Sequence, residues 1–496
     1  MLNNGKLILF TLLSGILIYL DSLQTQLYSL YFHNIDEFAF HGSLLRILSG
    51  IKNFDPRIFF GTGFFNYGFL YFFSVFGITS PFLIFDNSDF SVLLPRLFSS
   101  FFAIGSLNIL YKIFKIKSSN NIICLLPIIL IITFPAFWYN AIVFHPDWPY
   151  TFFILYSLYF LYKDEYSIGR NYYFSIIAFS IAFSLKIQSI VFLPIVFLYT
   201  ITISNRSLKG KTKLFSYSLI FIFLCRIVTN PYLLHPDGLA EFIEGYKAIM
   251  VSNETNHGEG DVTFLDKIKM LNGWYLNITL LIFSIIIMLN SLYLYLFKKD
   301  YSLNNQLSIT VMLNLLYLLF FVNKAWQSYY LPCFCLVVII IHFFVLEKYA
   351  KRYVMVFSIF ICLNLGLHFE NYDEFIYKYK FNHNKDLIYF KSSNYILKKY
   401  VKPHDNILIV GYGVVDFKEL GLKYENIHYT YGNFESRHIL NYNNHYPGRN
   451  VSKNFILVSK LGLSEGDLVS QEKILLSYYK IADSPHFILY SLFQAK

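Results

Sequence analysis

The chain has 496 residues, 55% hydrophobic and 20% aromatic, with only 15% charged and a mean hydropathy of +0.46. Soluble domains carry charge on about a quarter of their residues, so this composition excludes a large soluble core. Its net charge of +10 does not indicate nucleic acid either, because the basic residues lie in short gaps between apolar runs.

The first predicted span is Leu7–Leu20, behind Lys6, with an extension toward Tyr31. No small-residue cleavage site follows it, so it reads as a retained anchor rather than a signal peptide. An aromatic loop from His33 to Ser91 comes next. Within it, Phe64–Phe85 is apolar but interrupted by Gly68, Gly77 and Pro81, which suits a helix lying in the membrane interface. The later predicted spans are Val92–Phe114, Ile122–Trp138, Tyr150–Leu161, Tyr172–Leu185, Ile187–Ile203, Leu214–Val228, Trp274–Phe297, Leu307–Val322, Tyr330–Leu346 and Tyr353–Leu367. A crossing needs ~20 mostly apolar residues, which gives about eleven crossings. Lys186 interrupts the run from Tyr172 to Ile203, which reads as two short helices meeting at the outer face.

Loop charge alternates along this order. One set of gaps carries Lys112, Lys115 and Lys117; Arg206, Lys209, Lys211 and Lys213; Lys298 and Lys299; and Lys348, Lys351 and Arg352. The other set carries Asp36-Glu37, Asp86 and Asp89, Asp147, and the stretch from Asp237 to Asp266. Positive loops stay cytoplasmic, so the N-terminus is placed inside and the acidic loops outside. The fold class is therefore mainly α: a polytopic helix bundle over residues 1–370, followed by a small extracytoplasmic α/β domain over residues 371–496. In that domain Ser392–Tyr400 and Lys473–Ala482 read as helices. Asn406–Gly411, Asn426–Tyr431, Asn454–Ser459 and His486–Leu492 read as strands. Gly411-Tyr412-Gly413 follows a strand, but Asp416 stands where a dinucleotide fingerprint would have its third glycine. The five cysteines lie in apolar segments and read as core residues, without metal-ligand spacing.

Chemistry is concentrated at the outer ends of the spans. Asp36 and Glu37 are adjacent carboxylates at an apolar rim, suited either to a helix cap or to a general base toward an acceptor. Asp147, between Pro146 and Pro149, falls on the same membrane face; it serves as an N-cap or as a substrate ligand. If a divalent metal ion is used, Asp36, Asp147 and His145, with His33 or His41, are the residues to hold it. Lys186 within an apolar run calls for an anionic partner or a path to the surface. Arg96, Lys324 and Tyr329 also lie at outer ends and are placed to contact phosphate. The loop after Asn230-Pro231-Tyr232 carries Glu254, His257, Glu259 and Asp261 near glycines.

In this order the landmarks resemble the GT-C superfamily of membrane glycosyltransferases. The resemblance is to its family 39-like branch, which includes protein O-mannosyltransferases and lipid A aminoarabinose transferases. The matching features are Asp36-Glu37, Asn66-Tyr67-Gly68-Phe69-Leu70-Tyr71, Leu94-Pro95-Arg96-Leu97, Asp147, Lys186, Asn230-Pro231-Tyr232 and Tyr329-Tyr330-Leu331-Pro332. Two features depart from it. Asn66-Tyr67-Gly68 stands where several relatives have a Lys-Pro-Pro-Leu type segment, and Ser328-Tyr329 replaces a late Arg-Tyr pair, leaving Lys324 as the nearest cation. The resemblance implies transfer of a sugar from a polyprenyl-phosphate donor to a lipid, glycan or protein acceptor outside a plasma membrane. In that scheme Asp36 is the general base, and Glu37 and Asp147 position the acceptor or a metal. Lys186 and Arg96 stabilise the leaving phosphate. A surface-polysaccharide polymerase or ligase is the rival enzyme, though it would rely on late arginines and histidines. A lipid or sugar transporter is the rival of another class, though it would show paired halves.

Overall fold

The computed structural model describes residues 3–23, 25, 35–61, 67–85, 88–203, 207–255, 261–381, 383–410, 420–422, 427–430, 455–460 and 479–491. His33, Asn66, Asp86, Arg206, His257, Glu259, Gly411-Tyr412-Gly413, Asp416 and residues 473–478, singled out in the sequence, lie outside these. Two compact units are present. The first comprises Met1–Gln24, Arg46–Pro81 and Leu93–Ile376, and the second Thr25–Leu45, Phe82–Val92 and Tyr377–Lys496.

The helices follow the apolar runs. They are α1 (Asn3–Ser22), α2 (Ile35–Lys52), α3 (Pro56–Phe60), α4 (Phe69–Ile84), α5 (Ser88–Phe114), α6 (Asn121–Ile132), α7 (Pro135–Ala141) and α8 (Asp147–Asp164). Next come α9 (Arg170–Leu185), α10 (Leu193–Thr202), α11 (Leu208–Val228), α12 (Pro236–Thr255), α13 (Phe264–Trp274), α14 (Ile278–Phe297) and α15 (Leu303–Phe320). The last three are α16 (Leu331–Tyr349), α17 (Tyr353–Phe381) and α18 (His383–Tyr400). Among the described residues, five helical stretches are long and apolar enough to cross a membrane, or six if one bent pair is a single span. One of them, α14, carries exposed apolar residues along one side, among them Ile282, Ile286, Leu289 and Phe297. At the centre runs α16, in which every side chain from Leu331 to Phe343 is buried.

Three predicted spans take a different course. Ile122–Trp138 is the bent pair: α6 and α7 meet at 76° because Thr133-Phe134 leaves the helix and Pro135 opens a new one. Trp274–Phe297 is interrupted after Trp274, where the Asn277 side chain accepts from the amide of Leu280 and caps α14. Beyond Leu367 the helix of the last span continues to Phe381. The predicted break at Lys186 is present: α9 ends at Leu185, Lys186 is extended, and a 3-10 turn (Ile187–Phe192) leads into α10. Helices α8 and α9 form a hairpin whose turn is built on Asp164. Its carboxylate accepts from the amides of Ile168, Gly169 and Tyr172 and from the Tyr199 hydroxyl at 2.7–3.1 Å.

In the second unit, a five-stranded sheet has the order β2-β1-β3-β5-β4, from β1 (Ile407–Val410), β2 (Ile427–Thr430), β3 (Phe455–Ser459), β4 (Tyr479–Asp483) and β5 (Phe487–Ser491). Strands β1, β2 and β3 are parallel, while β5 runs antiparallel to both β3 and β4. Ile396 and Leu397 of α18 pack on Ile407, Ile409, Leu457 and Leu489. All four predicted strands exist. The helix predicted over Lys473–Ala482 does not extend through its last part, since Tyr479–Ala482 belongs to β4. A turn closed by Ser484 pairs that segment with buried β5, and cross-strand pairing overrides its local helical preference.

Candidate active site

The arrangement around Lys186 is dictated by where α9 stops. Its last carbonyls need donors from outside the helix. The amide of Gly68 donates to Leu185 O at 2.9 Å, and Tyr67 pairs with Lys186 as a one-residue antiparallel bridge. Only glycine fits here: a Cβ at position 68 would lie 1.6 Å from Ser184 O, a backbone atom. Tyr67 and Lys186 are thereby held side by side. Gly68→Ala forces these two strands apart. Misplacement of about 1 Å can cost on the order of 100-fold in rate, and transfer by this variant is expected to fall by about that factor in a sugar-transfer assay.

Lys186 is fully buried, and its ammonium lies 2.5 Å from Asp147 Oδ1. The other carboxylate oxygen of Asp147 lies 2.5 Å from His145 Nδ1. His145 Nε2 in turn is 3.2 Å from the Tyr67 hydroxyl. With the carboxylate at Nδ1, the proton belongs on that nitrogen, and Nε2 accepts from Tyr67 O–H. Tyr67, Tyr150 and Tyr329 surround the ammonium with ring centroids 5.2–5.6 Å away, in cation–π range. Asp147 opens α8, where the helix dipole favours an anion. From α5, the Ser99 hydroxyl donates to His145 O at 3.1 Å and fixes the segment that carries the imidazole.

Four predicted residues, Asp147, Lys186, Tyr329 and His145, are therefore brought together. Both oxygens of Asp147 and both ring nitrogens of His145 are engaged within the set. That is an ion-pair chain rather than a coordination shell, so the metal reading of these residues does not fit. Among the described residues, no three His, Cys, Asp or Glu side chains group to hold a metal. Lys186 has no accessible surface, so its influence on a bound anion acts through space. Lys324 is buried with its ammonium 4.3 Å over the Trp326 ring, just before Tyr329, and Arg96 is fully buried within α5.

Asp36 and Glu37 belong to the second unit, in the first turn of α2, where the dipole again favours carboxylates. Glu37 is fully buried, whereas Asp36 is partly exposed and so the more accessible of the two. His41, one turn beyond Glu37, is buried with its Nε2 3.1 Å from the Ser91 hydroxyl. Burial pushes its imidazole down to about 4, which keeps it neutral at physiological pH.

Sequence reasoning missed three features. Tyr67 stood in the sequence only within the Asn66–Tyr71 segment of the resemblance, with no role of its own. Arg226 donates to Ser184 O and Asn230 accepts from the Phe69 amide, on either side of this bridge. Arg226, like Lys186, is a charge inside an apolar run, and the same argument applied to it would have found it.

Residues 73–232, which include His145, Asp147, Lys186 and Arg226, match the family of dolichyl-phosphate-mannose-protein mannosyltransferases. Among solved structures, the chain is similar to ArnT from Cupriavidus metallidurans in the apo state, with 9% identity, 99% of both chains covered and a TM-score of 0.56. It is also similar to the same protein bound to undecaprenyl phosphate, with 10% identity, 99% of this chain and 98% of that one covered, and a TM-score of 0.55. No curated protein sequence matches significantly. The structural likeness is one of fold over the whole chain, and residues 73–232 are similar to the mannosyltransferase family.

Proposed function

We propose that the chain transfers a sugar from a polyprenyl-phosphate donor to a lipid, glycan or protein acceptor at the outer face of the plasma membrane. The carrying observation is the enclosed Lys186–Asp147–His145–Tyr67 chain, which lies in the segment matching the mannosyltransferase family. The similar ArnT structure with undecaprenyl phosphate supports the donor class. Loop charge supports about eleven crossings, a cytoplasmic N-terminus, an interfacial α4 and an extracytoplasmic domain over residues 371–496.

In this reading Asp36 removes the proton from the acceptor hydroxyl or amine, and Glu37 positions it. The acceptor atom bonds to the anomeric carbon, the bond from that carbon to the phosphate oxygen breaks, and the electron pair leaves on polyprenyl phosphate. Lys186, with Asp147 holding it in place, meets that charge electrostatically together with Arg96, Lys324 and Tyr329. The partial exposure of Asp36, against full burial of Glu37, supports Asp36 as the base.

The test is mass analysis of surface lipids, glycans and proteins from cells with and without the gene. Loss of one sugar from one acceptor class is expected and names that class. An unchanged surface, with undecaprenyl phosphate failing to bind the purified chain, contradicts the reading.

A further inference from the structure

The break in α9 that exposes Lys186 to its partners leaves three carbonyls without helical donors, at Phe183, Ser184 and Leu185. Gly68 serves the last of them. Arg226, buried near the end of α11, serves the other two: its Nη1 donates to Phe183 O at 2.9 Å and to Ser184 O at 3.0 Å. One turn further, the Asn230 side chain donates to Arg226 O at 2.7 Å, and its Oδ1 accepts from the Phe69 amide at 2.6 Å. The end of α11 thus grips both strands of the Tyr67–Lys186 bridge. Arg226 holds the strand that delivers Lys186, and Asn230 holds the strand that delivers Tyr67.

We propose that Arg226, braced by Asn230, is a positioning residue that sets the location of the Lys186 ammonium and hence recognition of the donor phosphate. The proposal rests on the polyprenyl-phosphate reading above. Arg226 is buried in the last turn of α11, where a charge is costly unless its donors find acceptors, and the two carbonyls supply them. Its two carbonyl partners are consecutive, at the point where the chain must leave the helix. Without the guanidinium those carbonyls have two remaining routes to donors. Helix α9 continues through position 186, or the bridge slides; either course moves the ammonium off Asp147.

The experiment uses the full chain in detergent, with undecaprenyl phosphate as the probe. Affinity is measured for the wild type, Arg226→Met, Arg226→Lys, Lys186→Met and the Arg226→Met/Lys186→Met double variant. Arg226→Met is expected to weaken binding about 10-fold and Arg226→Lys by less, since lysine keeps a cationic donor nitrogen. In the Lys186→Met background, Arg226→Met should cost under about twofold, because a residue acting through Lys186 has nothing left to position. Hydrogen exchange should rise over Phe183–Lys186 in Arg226→Met and stay unchanged in the rest of the chain. Losses that multiply in the double variant, wild-type affinity in Arg226→Met, or exchange raised throughout the chain would each overturn the proposal while leaving the donor reading intact. A wild-type chain that does not bind the probe overturns both.

Discussion

Lys186→Met is expected to lower sugar transfer by about 100- to 1000-fold, the usual cost of removing one preorganised electrostatic group from a reacting site. It is also expected to destabilise the fold. Asp147 is 1% exposed, and without the ammonium His145 is left as its ionic partner. Stranding one member of a buried pair costs about 3–5 kcal/mol. Pairing the change with Asp147→Asn removes the stranded charge, so the double variant should recover most of the lost thermal midpoint. It should not recover transfer, because the cation is still missing. These two readouts separate the structural from the electrostatic part of the role. Recovery of both in the double variant would show that the pair serves only the fold.

The second large effect is expected at Asp36. Asp36→Asn keeps shape and helix start but removes the base, and a positioned general base contributes about 100- to 10,000-fold. Transfer should fall into that range with binding of undecaprenyl phosphate unchanged, since the donor does not need the acceptor's proton removed. Glu37→Gln acts differently. Glu37 is fully buried in α2, and its loss is expected to show mainly as lower stability or weaker acceptor use. Full activity in Asp36→Asn together with loss in Glu37→Gln would exchange the two roles.

The helical architecture was legible because apolar length is a strong signal in lipid, and each apolar run identified in the sequence carries a helix. The breaks were legible only where a charge or a proline marked them. Lys186 announced its own break. The gap at Tyr275-Leu276-Asn277 carries neither signal and depends on the Asn277 cap, a local hydrogen bond that hydropathy cannot register. In the site, the pairing of Asp147 with Lys186 could be anticipated from loop charge, which reads both as lying at the same ends of their helices. The link from His145 to Tyr67 spans 78 positions and joins a loop residue to an isolated bridge, a contact with no periodicity to betray it. For β4, the register with β5 decided the structure, and its short polar sequence did not.

The most direct test of the central claim is cleavage of the donor. The purified chain is reconstituted in liposomes containing undecaprenyl-phosphate sugars labelled in the sugar, presented one sugar at a time with a mixture of extracted envelope lipids, glycans and proteins as acceptors. Transfer of label to an acceptor, with stoichiometric release of undecaprenyl phosphate and loss of both in Asp36→Asn, is the expected result. Movement of intact labelled donor across the bilayer without bond cleavage would contradict it and make the chain a transporter.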